Sequence, residues 1–199
     1  MKVIDDFLPA DYFEAIKTYI MDIRNTWQFS PGVAYVKKDD QGIYNNDLTD
    51  FYFIHDVYHN LQIHDPQLFQ MMGVMLNEYC KAVSLIRSRC IMYTNVGKMI
   101  HHDPHTDMPY TNKALILYIN TCDGGTEFPD GTKVESIENR ALIFDGSESH
   151  NSTTTTNQKR RVILSCNYID GEVIANKGRY GQETFPPPVE EDIDASTQW

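Results

Sequence analysis

Positive charge is scarce in this sequence. Seventeen Lys and Arg stand against 28 Asp and Glu, a formal net charge of −11 over 199 residues. Phosphate attraction is the main term in non-specific nucleic-acid affinity, so this balance disfavours a broad nucleic-acid face, an acidic membrane surface and a DNA-repair role. A small basic groove or a cationic peptide substrate stays compatible with it. Long apolar runs are also missing, and no stretch offers the ~20 apolar residues a membrane-spanning helix needs. The four cysteines, Cys80, Cys90, Cys122 and Cys166, form no C-x-x-C pair, and the apolar surroundings of Cys166 suit a buried thiol. Without a signal-peptide pattern, the expected compartment is a reducing cytoplasm with no membrane partner. No internal repeat is visible. The length suits one domain with a sizeable core.

From 112 to 167 the chain reads as short strands broken by turns. Ala114–Ile119 is apolar and closes on Asn120-Thr121-Cys122-Asp123-Gly124-Gly125. Asp130-Gly131 marks another turn, Arg140–Gly146 a second strand, and Arg161–Ile169 a third. Short strands with no helical period between them indicate a sandwich or barrel. Upstream, Asp11-Tyr12-Phe13-Glu14 has the form of a capping box, and Tyr12, Phe13, Ile16, Tyr19, Ile20 and Ile23 recur at helical spacing. A second helix is expected from the N-cap Asp65 and Pro66, with Leu68, Phe69, Met72, Met75, Leu76, Tyr79 and Val83 inward as core. Residues 37–47 are polar and read as a loop able to fold over a substrate. From Gly171 the period is lost, and 171–199 reads as an extended tail rich in proline and acid.

His105-Thr106-Asp107, followed by His150, is a ligand set for one metal. On an extended strand, positions 105 and 107 project to one side, and His150 would supply a third corner. Two imidazoles and one carboxylate, with no fourth protein ligand, compose an open Fe(II) site. His101-His102-Asp103 overlaps it as a second H-x-D, and Pro104, which donates no ladder hydrogen bond, separates the two. His101 and His102 read either as solvated residues at the mouth of the site or as contacts to ligands or substrate. His55 and His59 are spaced i, i+4 but lack the glutamate of H-E-x-x-H, so they read as structural or substrate-facing. His64 reads as a surface residue before the helix cap.

Strand parity puts Arg161, Ile163, Ser165 and Asn167 on one face of the last strand and Val162, Leu164, Cys166 and Tyr168 on the other. A cation within such a strand calls for a carboxylate, which the guanidinium fork can grip bidentately and to which Ser165 could add a hydroxyl. The bland alternative leaves Arg161 in water beside Lys159 and Arg160.

These words resemble a known family. H-x-D, an apolar strand ending Tyr118-Ile119-Asn120 before a Gly-Gly turn, a distal His and an Arg opening an alternating strand are similar to the Fe(II)- and 2-oxoglutarate-dependent dioxygenases, in the prolyl-4-hydroxylase-like branch. The wording is nearest to bacteriophage-encoded members, and the resemblance is densest from Tyr93 to Ile169. It implies a mainly β (α+β) fold, a double-stranded β-helix or jelly roll with N-terminal buttressing helices. The expected domain spans 1–170, with helical support about 9–85 and the jelly-roll core about 90–170. The resemblance selects His105, Asp107 and His150 as iron ligands and gives Arg161 the distal carboxylate of 2-oxoglutarate. Tyr118 takes the place of a tyrosine hydroxyl on that carboxylate, Ser165 that of a hydroxyl four residues beyond the arginine, and Tyr93 that of a cosubstrate-pocket tyrosine. Asn95 and Asn167 could line the same cavity.

The implied cofactors are Fe(II), 2-oxoglutarate and O2, with ascorbate as an optional addition. The implied reaction is hydroxylation of an unactivated C–H with release of succinate and CO2. A prolyl or other peptidyl side chain is the first substrate expectation, and a small molecule is also admitted. A phage-encoded enzyme would work in the host cytoplasm. Two other readings stay open: a cupin-like metal protein that uses no 2-oxoglutarate, and a non-catalytic phage accessory or virion module.

Overall fold

The computed structural model describes residues 1–22, 24–33 and 48–172. Ile23, the loop expected at 37–47 and the tail from 173 lie outside the described residues.

A short strand β1 (Lys2–Ile4) precedes helix α1 (Ala10–Met21) and β2 (Gln28–Ser30). Phe13, Ile16 and Ile20 of α1 are buried, each worth roughly 1.5–3 kcal/mol relative to exposure. The expected capping box does not form. The chain enters the helix through Pro9, whose carbonyl accepts from Phe13 N at 2.9 Å, and Asp11 lies inside the first turn, accepting only from Tyr12 N. A proline whose ψ is extended already supplies the break a polar cap would otherwise make.

Strands β3 (Tyr52–His59) and β4 (Gln62–Ile63) lead to α2 (Pro66–Val74), which continues as a π-helical turn at Met75–Tyr79. Asp65 caps α2 as the sequence predicts, its Oδ1 accepting from Leu68 N at 3.0 Å. Tyr79 and Val83, expected inward, are exposed. The helix ends at Tyr79 because Lys81 takes a left-handed conformation (φ 53°), and Val83 already belongs to the next strand, β5 (Ala82–Thr94). The N-terminal region is thus not helical support alone, since β2, β3 and the start of β5 lie within it.

The remaining strands are β6 (Lys113–Tyr118), β7 (Gly125–Glu127), β8 (Lys133–Glu135), β9 (Ala141–Asp145), β10 (Asn151–Ser152) and β11 (Arg160–Asp170). They form two antiparallel sheets. The larger has the order β1-β9-β6-β11-β5-β3-β2, with β4 beside β3, and the smaller has the order β10-β7-β8. Non-consecutive neighbours in both sheets are the mark of a jelly roll.

Alternation along β11 sorts its residues between two cores. Val162, Leu164, Cys166 and Tyr168 pack with Ile16, Ile20, Leu68, Met72 and Met75 under the helices. Ile163 packs between the sheets with Tyr93, Ile116, Tyr118, Val134 and Phe144. A one-residue slip would exchange these sets. The helices cover one face of the large sheet, and the smaller sheet covers the other, where the histidines converge.

Candidate metal centre and its cavity

His105 and Asp107 are not on a regular strand. His105 makes a single antiparallel pair with His150, exchanging both backbone hydrogen bonds at 2.8 and 2.9 Å. Asp107 N then donates to Gly146 O at 2.9 Å, which fixes the second tooth of the claw. Pro104, unable to extend the ladder, accounts for the isolated pair. The ligand-capable atoms of His105, Asp107 and His150 lie within 4.8 Å of one another, and among the described residues no other group of His, Cys, Asp or Glu converges in this way.

The donor set fits a divalent transition metal. His150 Nδ1 donates to Glu148 O at 3.0 Å, an assignment that leaves the Nε2 lone pair for a metal. Burial, with the His150 imidazole next in weight, pulls the His105 pKa down to about 4, so this ring is neutral near pH 7. Burial alone would raise the Asp107 carboxyl, but His150, Arg87 and Asn167 outweigh it and hold it below the ordinary carboxylate value. A neutral His105 ring, a His150 ring that presents Nε2 and an ionised Asp107 carboxylate suit an open Fe(II) site.

Arg87 is the functional neighbour that sequence reasoning missed. Its guanidinium donates to Asp107 Oδ1 at 2.9 Å and to Asn167 Oδ1 at 2.9 and 3.2 Å, while Asn167 Nδ2 donates to Asp107 Oδ2 at 3.0 Å. Both carboxylate oxygens are held, and each keeps a further lone pair for a cation. The clue was parity: counting back by twos from Tyr93 along β5 gives Ile91, Arg89 and Arg87 on one face. Asn167, expected near the cavity, thus acts on Asp107.

The centre opens into a cavity of about 760 Å³, its mouth included, lined by the metal-centre residues, Arg87, Arg89, Tyr93, Thr126 and Ser165, with Ile91, Ile116 and Ile163 as apolar wall. Arg161 is fully buried, not solvated beside Lys159 and Arg160. It does not itself line the cavity. Its NH2 donates to Thr126 Oγ1 at 3.3 Å and its NH1 to Thr153 O at 3.1 Å, and its guanidinium carbon lies 5.1 Å from the Tyr93 ring centre and 5.5 Å from that of Tyr118. Its Nε is buried without a hydrogen-bond partner, and no carboxylate of the described residues pairs with it.

Tyr118 stands beside Arg161, but its hydroxyl donates to Thr126 Oγ1 at 2.9 Å. Thr126, also missed from sequence, therefore joins Tyr118 and Arg161 to the cavity wall. The Gly124-Gly125 pair that places it is required by close approach, because a Cβ at Gly124 would meet Thr154 O and Arg161 Cδ. Ser165 pairs in register with Arg89 on β5, whereas Arg161 pairs with Tyr93. Four residues along a strand separate Ser165 from Arg161 by roughly 13 Å. In register, Ser165 therefore stands beside Arg89 rather than beside Arg161.

The other histidines divide. His102 is buried, stacked on Tyr93 at 5.3 Å, with Nδ1 2.9 Å from Ser152 O and Oγ; it is not a solvated residue at the mouth. Burial lowers its pKa to about 4. His101 is exposed and paired with Glu127 at 2.9 Å. His55 bridges Asp65 and Thr26 O, both at 2.8 Å, a structural tie between β3 and the α2 cap, while His59 ends β3 exposed. Asn95 does not line the cavity; it donates to Thr156 O and Gln158 O, closing a loop.

No protein-family model matches the sequence, and no curated protein matches it. Solved structures do match the fold. A Pseudomonas putida prolyl-4-hydroxylase is 16% identical, covers 84% of this chain and 91% of its own, and superposes with a TM-score of 0.53. A Trichoplax adhaerens prolyl hydroxylase, in complex with a hypoxia-inducible factor oxygen-degradation-domain peptide fragment, is 12% identical over 88% of this chain and 86% of its own, with a TM-score of 0.56. A Burkholderia pseudomallei oxidoreductase of the 2OG-Fe(II) oxygenase family is 11% identical over 84% of each chain, with a TM-score of 0.58. At these identities the likeness establishes the fold of the 2OG-Fe(II) oxygenases. No helix among the described residues is long and apolar enough to cross a membrane.

Proposed function

We propose that this chain is an Fe(II)- and 2-oxoglutarate-dependent dioxygenase that hydroxylates an unactivated C–H, with residues 1–170 as its catalytic domain. The observation that carries the reading is a buried arginine, Arg161, with no carboxylate partner among the described residues, behind a cluster in which the ligand-capable atoms of His105, Asp107 and His150 converge. A buried guanidinium is costly unless an anion answers it. A dicarboxylate reaching from the metal to Arg161 would do so.

His105, Asp107 and His150 would hold Fe(II), which supplies the oxidative decarboxylation of 2-oxoglutarate by O2, giving succinate and CO2, and the hydroxylation of substrate. The chain's own residues prepare that chemistry. Glu148 O holds the proton on His150 Nδ1, so the ring presents Nε2. Arg87 and Asn167 fix the Asp107 carboxylate and keep it ionised. Arg161 anchors the distal carboxylate with Tyr118, Thr126 and Tyr93 packed around it, and Ile91, Ile116 and Ile163 keep water from the wall. Ser165, in register with Arg89, serves the cavity wall beside it.

A peptidyl substrate fits the prolyl-hydroxylase-like fold and the peptide bound to the Trichoplax neighbour. The wording of residues 93–169, nearest to bacteriophage-encoded members, adds host cytoplasm as the compartment. A second reading draws on the placement of Arg161 and Tyr118 behind Thr126: a cupin-like metal protein in which Arg161 is structural and 2-oxoglutarate is not used. Succinate release from 2-oxoglutarate by the iron-loaded chain, abolished by His105→Ala and by Asp107→Ala, is the expected result. A chain that binds iron yet releases no succinate would favour the second reading.

A further inference from the structure

Arg89 is the cation of the cavity that no described group answers. It lines the cavity wall, its Nε is buried without a partner, and its side chain makes no hydrogen bond or ion pair with the described residues. The contrast with its neighbour is sharp, since Arg87, two residues back on the same face, is saturated by Asp107 and Asn167. Asp56 pairs with Arg89 in register on β3 but forms no ion pair with it. Asp107, the one acidic residue on the cavity wall among the described residues, is already held by Arg87 and Asn167.

On the other side of Arg89, across the β5–β11 pair, stands Ser165, which also lines the cavity and makes no hydrogen bond among the described residues. A guanidinium fork next to an unused hydroxyl is a receptor for a planar oxyanion. It is separate from the cosubstrate anchor, because Arg89 and Ser165 pair four positions away from Tyr93 and Arg161, roughly 13 Å along the strands. With Arg87 answered by Asp107, Arg89 on the cavity wall and Arg161 just behind it leave the opposite sign beside the metal centre of a chain of net charge −11.

We infer that Arg89, with Ser165, binds a carboxylate on the primary substrate and so selects acidic substrates for the centre beside it. The inference rests on the dioxygenase reading and deepens it. A substrate carboxylate held at Arg89 and a cosubstrate carboxylate held at Arg161 would give the two acids separate anchors, one on the cavity wall and one behind it. Two sources of that carboxylate share this chemistry, an acidic side chain of a peptide and the terminal carboxylate of a small acid.

The test uses the full chain loaded with Zn(II), with N-oxalylglycine occupying the cosubstrate position. The nuclear magnetic resonance signal of the Arg89 Nε–H group, assigned by its loss in Arg89→Gln, reports binding. Three probes are titrated: N-acetyl-glutamate amide, with only a side-chain carboxylate; N-acetyl-glutamine, with only a terminal one; and N-acetyl-glutamine amide, with neither. At least one of the two acids should move the Arg89 signal and bind roughly tenfold or more tightly than the uncharged probe. Arg89→Gln should remove that preference and Arg89→Lys should restore part of it, with N-oxalylglycine affinity unchanged in both. The acid that wins names the source.

The inference is overturned if neither acid is preferred over the uncharged probe, if Arg89→Gln leaves the preference intact, or if it weakens N-oxalylglycine itself, which would make Arg89 a second cosubstrate anchor. Inorganic phosphate displacing both acids would also overturn it. Failure of N-oxalylglycine to bind the wild-type chain strikes the dioxygenase reading, and binding of N-oxalylglycine without any acid preference strikes the Arg89 assignment alone.

Discussion

Replacing Arg161 by methionine should separate stability from cosubstrate binding. In the structure the guanidinium makes two hydrogen bonds, to Thr153 O and Thr126 Oγ1, and lies against two aromatic rings. Hydrogen bonds to a charged group contribute about 1.5–3 kcal/mol each, and a cation over a ring adds about 0.5–2 kcal/mol. Against this stands the effective cost of burying an ion, several kcal/mol, with no carboxylate of the described residues to offset it. Methionine fills similar space without a charge, so Arg161→Met should change the free energy of unfolding in urea by no more than about 2 kcal/mol in either direction. The effect on 2-oxoglutarate should be far larger. Losing one partner of a buried, hydrogen-bonded charge pair costs about 2–5 kcal/mol, or roughly 30-fold to several thousand-fold in Kd. Calorimetric titration of the Zn(II)-loaded chain measures it. A variant destabilised by about 4 kcal/mol or more whose folded fraction binds 2-oxoglutarate as the wild type does would refute the reasoning and make Arg161 a structural residue.

Other perturbations test the groups around it. Arg87→Gln, which frees Asp107 Oδ1, should weaken metal affinity by roughly 10–100-fold in a competition titration with a chelator, as loss of a partner to a ligating carboxylate typically does. His102, neutral and buried with its pKa lowered to about 4, should make the metal-free chain lose stability as pH falls. The unfolded chain takes up a proton near 6.5 while the folded one resists until about 4, so roughly 3 kcal/mol is present above pH 6.5 and gone by about 4. His102→Gln should flatten that part of a urea-unfolding profile, and an unchanged slope would count against a neutral buried ring. Gly124→Ala puts a methyl against Thr154 O and Arg161 Cδ and should cost about 1–3 kcal/mol in melting measurements while lowering 2-oxoglutarate affinity by displacing the arginine.

Much of the architecture was legible because period-2 alternation is set by the pleat itself. Arg161, Ile163, Ser165 and Asn167 fall on the cavity side of β11 and Val162 to Tyr168 under the helices, as counting by twos requires. The α2 start was equally plain, since Asp65 followed by Pro66 has few alternatives. Local pattern failed where a competing element decided the outcome. Pro9 pre-empted the Asp11 cap, and Lys81 in the left-handed region ended the helical stripe before Val83.

At the site, the convergence of His105, Asp107 and His150 was readable from residue type and motif wording. The clamp on Asp107 was not, because Arg87 is twenty positions away in sequence and meets Asp107 through packing between non-adjacent segments. That Ser165 stands in register with Arg89 and not with the partner of Arg161 was hidden for the opposite reason. Sharing a face says nothing about separation along the strand, which the rise per residue supplies.

The most direct measurement is an oxygen-free titration of the iron-loaded chain with 2-oxoglutarate, followed by visible absorption. The account predicts a weak charge-transfer band that saturates at one equivalent per chain, is absent in Asp107→Ala, and requires far more 2-oxoglutarate in Arg161→Met. Iron bound by His105, Asp107 and His150 with no band at any 2-oxoglutarate concentration would contradict it.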